Sequence, residues 1–160
     1  MPAKQPINER PVERPAFKDV KSALDKALGK PKKSRAIFRY KAPSDAAAWI
    51  KRVHETSGSA SLCDAHPARE LVVVDGPPSG LMDLVTWVSW QSKSARKALD
   101  LLHADAGLRV ANIKYTDFVV MLDREPKDPA SHAKRLAKIV MMGDADEIAA
   151  ALKKRRWKTG

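Results

Sequence analysis

Residues 81–90 read L-M-D-L-V-T-W-V-S-W, and the conformation of this segment decides the fold of the chain. The segment can open a long helix, but the valines, threonine and tryptophans of its second half favour a strand. A separate helix is predicted directly after it, because Ser92 or Ser94 can cap a stripe of alanines and leucines over residues 95–102. Since that helix has its own cap, residues 81–90 are predicted to form a strand that precedes it.

Shorter patterns upstream of this segment predict further strands and a helix. Residues 35–41 (R-A-I-F-R-Y-K) alternate as a strand does, which places Phe38 and Tyr40 on one face. Apolar residues at helical spacing predict a helix over residues 45–55. A β-branched run at residues 71–74 predicts the next strand, which a turn rich in glycine and proline ends.

The remaining central segments complete a mixed pattern. Residues 56–69 are predicted to be a loop with a short strand around Leu62, and residues 108–115 and 118–122 are predicted to be either one bent strand or a hairpin. The resulting order is strand, helix, strand, strand, helix, strand. This order predicts an α+β fold, specifically a ferredoxin-like βαββαβ sandwich with its helices on one face of the sheet.

The chain is expected to divide into three parts. Residues 1–34 form a basic, largely flexible arm with a short amphipathic helix between Pro15 and Pro31, which is either a solvated linker or an arm that folds onto a partner. Residues 35–125 form the ferredoxin-like domain. Residues 126–160 form two helices that end in a basic tail.

The charge of the chain is concentrated at its two ends. The 160 residues include 30 lysines and arginines against 19 aspartates and glutamates, a formal net charge of +11. Residues 1–35 contribute +6, residues 36–127 contribute +1 and residues 128–160 contribute +4. An excess of this size indicates a polyanionic partner, and nucleic acid is the first expectation.

Residues 87–102 (W-V-S-W-Q-S-K-S-A-R-K-A-L-D-L-L) resemble the third strand and second helix of an RNA recognition motif. In that family, aromatic side chains of the central strands stack on bases, and the third strand begins with a basic residue and a glycine. Here Met82 and Asp83 stand at that position, and Val85 replaces an aromatic residue. The resemblance implies that four side chains stack on or pair with RNA: Phe38, Tyr40, Trp87 and Lys114.

The same segment also resembles the dimeric α+β barrel proteins, which pair two ferredoxin-like units through their open sheet faces. A face bearing Phe38, Val85 and Trp87 would expose a large apolar patch, so something is expected to cover it. A second subunit, the terminal helices or stacked bases would each suffice. The alternative interpretation is that Phe38, Trp87 and Trp90 belong to the core or to a dimer face. A small enzyme of the barrel type is a third option.

The two C-terminal helices could form a helix-turn-helix. However, a recognition helix approaches DNA with its N-terminal turn, and here residues 144–147 (D-A-D-E) would bring carboxylates to the phosphates. An amphipathic pair packed on the domain is preferred. The tail over residues 153–158 (K-K-R-R-W-K) has two interpretations. In one, its cations only complement the negative end of a helix dipole. In the other, they bind phosphates while Trp157 stacks on a base or anchors the tail.

The sequence gives no positive indication of catalysis, a metal or a cofactor. The four histidines lack the spacing of a metal-binding helix, Cys63 is the only cysteine, and no phosphate-binding or dinucleotide-binding glycine motif is present. No window approaches the roughly 18–20 apolar residues of a membrane span, and residues 1–15 are unlike a signal peptide. A cytoplasmic, intracellular protein is expected.

We therefore expect a nucleic-acid-binding protein without catalytic residues. Its expected ligand is RNA or single-stranded DNA rather than a duplex that is recognised by its base sequence. The alternative is a protein-interaction module, such as an inhibitor, adaptor or oligomeric subunit, that binds a protein partner or a second copy through the sheet face. The predicted nucleic-acid-binding residues are Lys30, Lys32, Lys33, Arg35, Phe38, Tyr40, Trp87, Lys114, Lys153, Lys154, Arg155, Arg156 and Trp157.

Overall fold

The computed structural model describes residues 15–64, 68–86, 88–114, 116–140 and 143–159, and it shows an α+β fold with two antiparallel sheets. The α-helices are α1 (Phe17–Leu28), α2 (Ala46–His54), α3 (Lys93–Ala106), α4 (Pro129–Ala137) and α5 (Ala145–Lys153). The strands are β1 (Lys32–Ser34), β2 (Ile37–Lys41), β3 (Ser59–Cys63), β4 (Glu70–Val74), β5 (Leu108–Ala111), β6 (Val119–Leu122) and β7 (Arg156–Lys158). The α+β class predicted from the sequence is confirmed.

The first sheet has the strand order β1-β2-β4-β3, and α1 and α2 pack on one of its faces. The helix predicted between Pro15 and Pro31 is confirmed as α1. Its Phe17, Val20 and Leu24 are buried in one cluster with side chains of α2, β2, β3 and β4. The predicted boundary between residues 34 and 35 falls inside the β1–β2 hairpin, so residues 15–34 of the predicted arm pack on the domain, and residues 1–14 lie outside the described residues.

The prediction of a strand over residues 81–90 is wrong, because residues 81–86 and 88–90 do not form a strand. Two 3₁₀ helices occupy the region, Pro78–Leu84 and Val88–Gln91. Leu81 and Met82 are adjacent and both fully buried, whereas a strand at a surface would bury only alternate residues. The Gln91 side-chain amide donates to the Val85 carbonyl at 2.8 Å, where a strand would use a neighbouring backbone.

The strand order differs from that of a ferredoxin-like sandwich. Strand β4 lies between β2 and β3 and is antiparallel to both, so β2, α2, β3 and β4 form a split βαβ unit. In a ferredoxin-like sandwich, the strand that follows the second helix lies beside the first strand of the split unit. Here β1 occupies that position beside β2. Strand β5 instead belongs to the second sheet, to which the first is joined by a parallel bridge between Cys63 and Ile113.

The second sheet has the order β5-β6-β7 and packs its inner face on α3, α4 and α5. Of the two alternatives for residues 108–122, the hairpin is correct, because β5 and β6 pair antiparallel. The predicted tail is also not an appendage. Arg155 turns the chain with a φ of 63°, and Trp157 of β7 is buried, with its ring centroid 6.2 Å from that of Trp90.

Hydrogen bonds to β6, and to the residue that precedes β6, hold both ends of β7 in place. The Leu122 N–H donates to the Arg155 carbonyl at 3.0 Å, and the Thr159 N–H donates to the Phe118 carbonyl at 3.0 Å. The two helices predicted before the tail are confirmed as α4 and α5. In the described parts of the chain, no helix is long and apolar enough to cross a membrane.

Candidate nucleic-acid interface

The outer face of the second sheet carries cations around an apolar centre. Alternation along the strands buries Leu108, Val110, Val120, Leu122 and Trp157 and turns the other side chains outward. We call this outer surface the basic sheet face, and it consists of Arg109, Ala111, Val119, Met121, Arg156 and Lys158.

The register arranges these side chains in two rows. Arg109, Met121 and Arg156 lie opposite one another in the first row, and Ala111, Val119 and Lys158 lie opposite one another in the second. With strands about 4.8 Å apart, the Arg109 and Arg156 backbones are separated by about 10 Å. The middle strand therefore presents half-buried apolar side chains between cations on the two outer strands.

The cations of this face differ in their partners. Arg109 Nε donates to Asp123 Oδ1 at 2.9 Å, and both side chains are about half exposed. Arg156 Nη1 lies 3.8 Å from Met121 Sδ. Within the described residues, neither Arg156 nor Lys158 forms an ion pair with a carboxylate, so both charges are available to an anion.

The turn before β7 adds further positive charge beside this face. Lys153, Lys154 and Arg155 are exposed, and Arg155 Nη1 donates to the Asp123 carbonyl at 2.9 Å. The predicted basic residues of the tail are therefore brought together at one end of the second sheet. Trp157 is the exception, because its ring is buried on the opposite face and does not reach a bound base.

The predicted N-terminal residues lie on the first sheet, away from the tail. Lys30, Lys32, Lys33 and Arg35 are exposed, and Arg35 Nη1 donates to Asp83 Oδ1 at 2.9 Å. The structure places this basic group beside the β1–β2 hairpin rather than in an extended arm.

Both aromatic residues of β2 have contacts within the protein. Lys21 Nζ lies 4.3 Å and Lys33 Nζ 5.6 Å from the centroid of the half-buried Phe38 ring. Tyr40 is buried, and its hydroxyl donates to Asp25 Oδ1 at 2.6 Å, so the prediction that it stacks on RNA is wrong. Burial and the adjacent Asp25 carboxylate raise the pKa of the Tyr40 hydroxyl above its usual value. The face of β2 that bears Phe38 and Tyr40 is covered by α1 and α2, whereas Val85 is buried in the cluster on the opposite face of the sheet.

Two predicted residues remain. Lys114 is exposed at the turn between β5 and β6, where its N–H donates to the Asp117 carbonyl at 2.9 Å. Trp87 lies outside the described residues. The sequence-based prediction missed Arg109, Met121 and Lys158 as members of a face, although alternation over residues 156–158 would have indicated it had the tail been taken as a strand.

A polar cleft adjoins the basic sheet face and shares Arg109 with it. This histidine cleft, about 340 Å³ in volume, is lined by residues that include His54, Ser59, His103, Arg109 and Asp123. Burial lowers the pKa of His54, and the positive charge of Arg109 lowers it further. The cleft lies between the C-terminal ends of α2 and α3 and the first residues of β3 and β5.

A second basic concavity lies between α3 and α4. This α3–α4 groove, about 600 Å³ in volume, is lined by the cations Lys97, Arg135 and Lys138 and by the apolar Leu101 and Ile139. Leu101 is 38% exposed, and among the described residues no other large apolar side chain is exposed to this degree. No carboxylate of the described residues lines this groove.

The described residues contain no group of three or more His, Cys, Asp or Glu side chains suited to hold a metal ion. Comparison with models of protein families, with curated proteins and with solved structures gives no significant match.

Proposed function

We propose that the protein binds single-stranded nucleic acid across the basic sheet face. The observation that carries the proposal is the arrangement of that face, in which Arg109 on β5 and Arg156 and Lys158 on β7 flank the apolar side chains of β6. Cations contact phosphates, and a flat apolar strip between them suits the faces of unpaired bases. The turn cations beside β7 extend the same positive surface.

The absence of an exposed aromatic side chain from this face sets the expected kind of binding. Val119 and Met121 offer contact area without the ring stacking that gives aromatic platforms about 1–3 kcal/mol per base. Binding is therefore expected to be carried by phosphate contacts, to depend steeply on salt and to discriminate little between bases.

A duplex read through its major groove is disfavoured by α5. The Asp144 carboxylate caps this helix by accepting a hydrogen bond from the Asp146 N–H, and Asp146 and Glu147 add two more carboxylates in the first turn. These three carboxylates would face phosphates if the helix N-terminus entered a groove, and like charges repel. A sheet face that meets an unpaired strand avoids this conflict.

A salt titration with paired variants tests the proposal. A fluorescently labelled oligonucleotide is titrated with the wild type, with Arg156→Gln/Lys158→Gln and with the control Lys18→Gln/Lys26→Gln, which removes two exposed cations from α1. Loss of two phosphate contacts should reduce the slope of log K against log salt by about 1.4, since each contact to a single strand contributes about 0.7. The control should keep the wild-type slope.

Two results would refute the proposal. The first is no measurable affinity of the wild type at low salt, or an affinity that does not depend on salt. The second is an equal reduction of the slope in both double variants, since this would assign the effect to net charge rather than to the basic sheet face. A thermal unfolding curve of each variant verifies that it is folded.

The α3–α4 groove favours a second candidate function, which is binding of an acidic protein segment. Lys97, Arg135 and Lys138 surround the exposed Leu101, so the groove fits an anionic and partly apolar partner better than a second copy of this basic chain. Poly-glutamate binding that Lys97→Gln/Lys138→Gln weakens would support it. No binding of poly-glutamate at low salt would exclude it.

A further inference from the structure

The histidine cleft lies where a nucleotide bound on the basic sheet face would reach beyond the sheet. Arg109 belongs to both surfaces: it stands in the first row of the basic sheet face and lines the cleft together with His54 and His103. Arg109 Nε is paired with Asp123, so a phosphate would be held by the remaining N–H groups of its guanidinium, and its attached sugar would lie at this cleft. The volume of about 340 Å³ is within the range of small-molecule sites.

Hydrogen bonds to the backbone fix the proton position on each imidazole. The Leu108 N–H, which can only donate, lies 3.0 Å from His103 Nδ1, so Nδ1 is the acceptor and Nε2 carries the proton. The Ala60 carbonyl, which can only accept, lies 3.2 Å from His54 Nε2, so Nε2 carries the proton. In the neutral ring of His54, Nδ1 is then left with a lone pair.

The surroundings of His54 keep its ring neutral. Burial lowers its pKa, Arg109 and His103 lower it further, and the Ala60 carbonyl and Asp123 oppose them. The two rings therefore differ in what they offer a ligand: His54 Nδ1 accepts a hydrogen bond, and His103 Nε2 donates one.

We infer that this cleft recognises the ribose 2′-hydroxyl, and that the protein consequently prefers RNA to DNA of the same sequence. A hydroxyl group is both a donor and an acceptor, so it can donate to His54 Nδ1 and accept from His103 Nε2. Deoxyribose has no such group, and the 2′-hydroxyl is the feature by which a site distinguishes RNA from DNA. This inference rests on the proposed function, because Arg109 must first hold the adjacent phosphate.

The size of the preference follows from two hydrogen bonds. Each contributes a modest net free energy at a partly solvated site, so together they should favour RNA by about tenfold. Ser57 and Ser59 are not expected to add to it, because their hydroxyls already donate to the Asp75 carboxylate and the Gly76 carbonyl at 2.6 and 2.8 Å.

The test compares oligouridylate with oligodeoxyuridylate of equal length, since the two differ only at the 2′ position. The wild type should bind the ribose form about tenfold more tightly. His54→Ala and His103→Ala each remove one of the two hydrogen bonds, so each should reduce the preference to about threefold and keep the wild-type affinity for the deoxyribose form. A 2′-O-methyl oligouridylate, which accepts but cannot donate, should bind less tightly than the ribose form, because it cannot donate to His54 Nδ1.

A second measurement does not depend on the stability of the variants. The ¹⁵N resonances of the imidazole rings of the wild type should show His54 and His103 both protonated at Nε2, and oligouridylate should shift them while oligodeoxyuridylate should not. Equal affinity of the wild type for the two oligonucleotides, or an equal loss for both in the variants, would overturn the inference and leave the proposed function standing. No affinity for either oligonucleotide would overturn both.

Discussion

Replacing Leu24 with alanine tests whether α1 is part of the folded domain. Leu24 is fully buried, and it lies in a cluster that includes Leu71 and Val73 of the first sheet. A change from leucine to alanine at such a site costs about 2–5 kcal/mol of unfolding free energy, and about 3 kcal/mol is expected here. Alanine is an excellent helix former, so the substitution does not weaken α1 itself and the loss reports its packing alone.

Urea denaturation measures this loss. With an m value of about 2 kcal/mol/M, the midpoint should fall by about 1.5 M while m stays unchanged. Ser22→Ala, at an exposed position of the same helix, is the matched control and should leave the midpoint within about 0.25 M, because surface substitutions change stability by about 0.5 kcal/mol or less. If Leu24→Ala has no larger effect than Ser22→Ala, α1 does not contribute to the folded core and the account of residues 15–34 is wrong.

Three further predictions follow from local contacts. Gly107→Ala should lower the melting temperature, since Gly107 has a φ of 68° and a Cβ there would lie 2.6 Å from Asp123 Oδ2; an unchanged melting temperature would contradict the described geometry. The backbone N–H groups of Lys127 and Asp128 and the His132 ring donate to the Asp105 carboxylate and hold its pKa below the usual value. The stability that the ionised Asp105 contributes is therefore complete above about pH 4 and is lost as pH falls through the lowered pKa. Asp105→Ala should therefore lower the urea midpoint at pH 7 and lose less stability than the wild type on acidification, and a parallel loss would be evidence against this role. His54 should also make stability fall with pH. Its pKa is lower in the folded protein than in the unfolded chain, so the unfolded chain takes up a proton first as pH falls from about 7, and the wild type should lose stability relative to His54→Ala. Parallel urea midpoints of the two proteins would refute this.

The elements that were predicted correctly are those with complete local signals. Helix α3 has a cap at Ser92, whose hydroxyl accepts from the Ala95 N–H, and it ends at Gly107. Helix α4 begins with the Asp128 cap and Pro129. Because these signals lie within one or two turns of the helices they define, they can be interpreted without knowledge of the rest of the chain.

The elements that were predicted wrongly depend on distant partners. Leu81, Met82, Val85 and Trp90 are buried in a cluster with side chains of both sheets, and that burial is compatible with 3₁₀ turns as well as with a strand. Strand β7 has three residues and exists because β6 is beside it. Alternation over so short a stretch cannot be separated from an ordinary charged tail, so Arg156 and Lys158 could be predicted as basic residues but not as part of a face.

The expected stacking residues failed for the same reason. Phe38 and Tyr40 were correctly placed on one face of a strand, but nothing within that strand shows what covers the face. The partner is α1, which precedes it in the chain and supplies Asp25 to the Tyr40 hydroxyl. The net charge of the tail was a better guide, because its exposed cations lie together, at the turn before β7 and on β7.

The most direct test of the proposed interface is a map of amide and methyl resonances during titration with a single-stranded oligonucleotide at low salt. The account predicts that the largest shifts occur at the basic sheet face, with the methyl group of Met121 and the amides of Arg109, Arg156 and Lys158 among them, and that α1 changes little. Shifts concentrated on α1 and the β1–β2 hairpin, or no shifts at all, would contradict it.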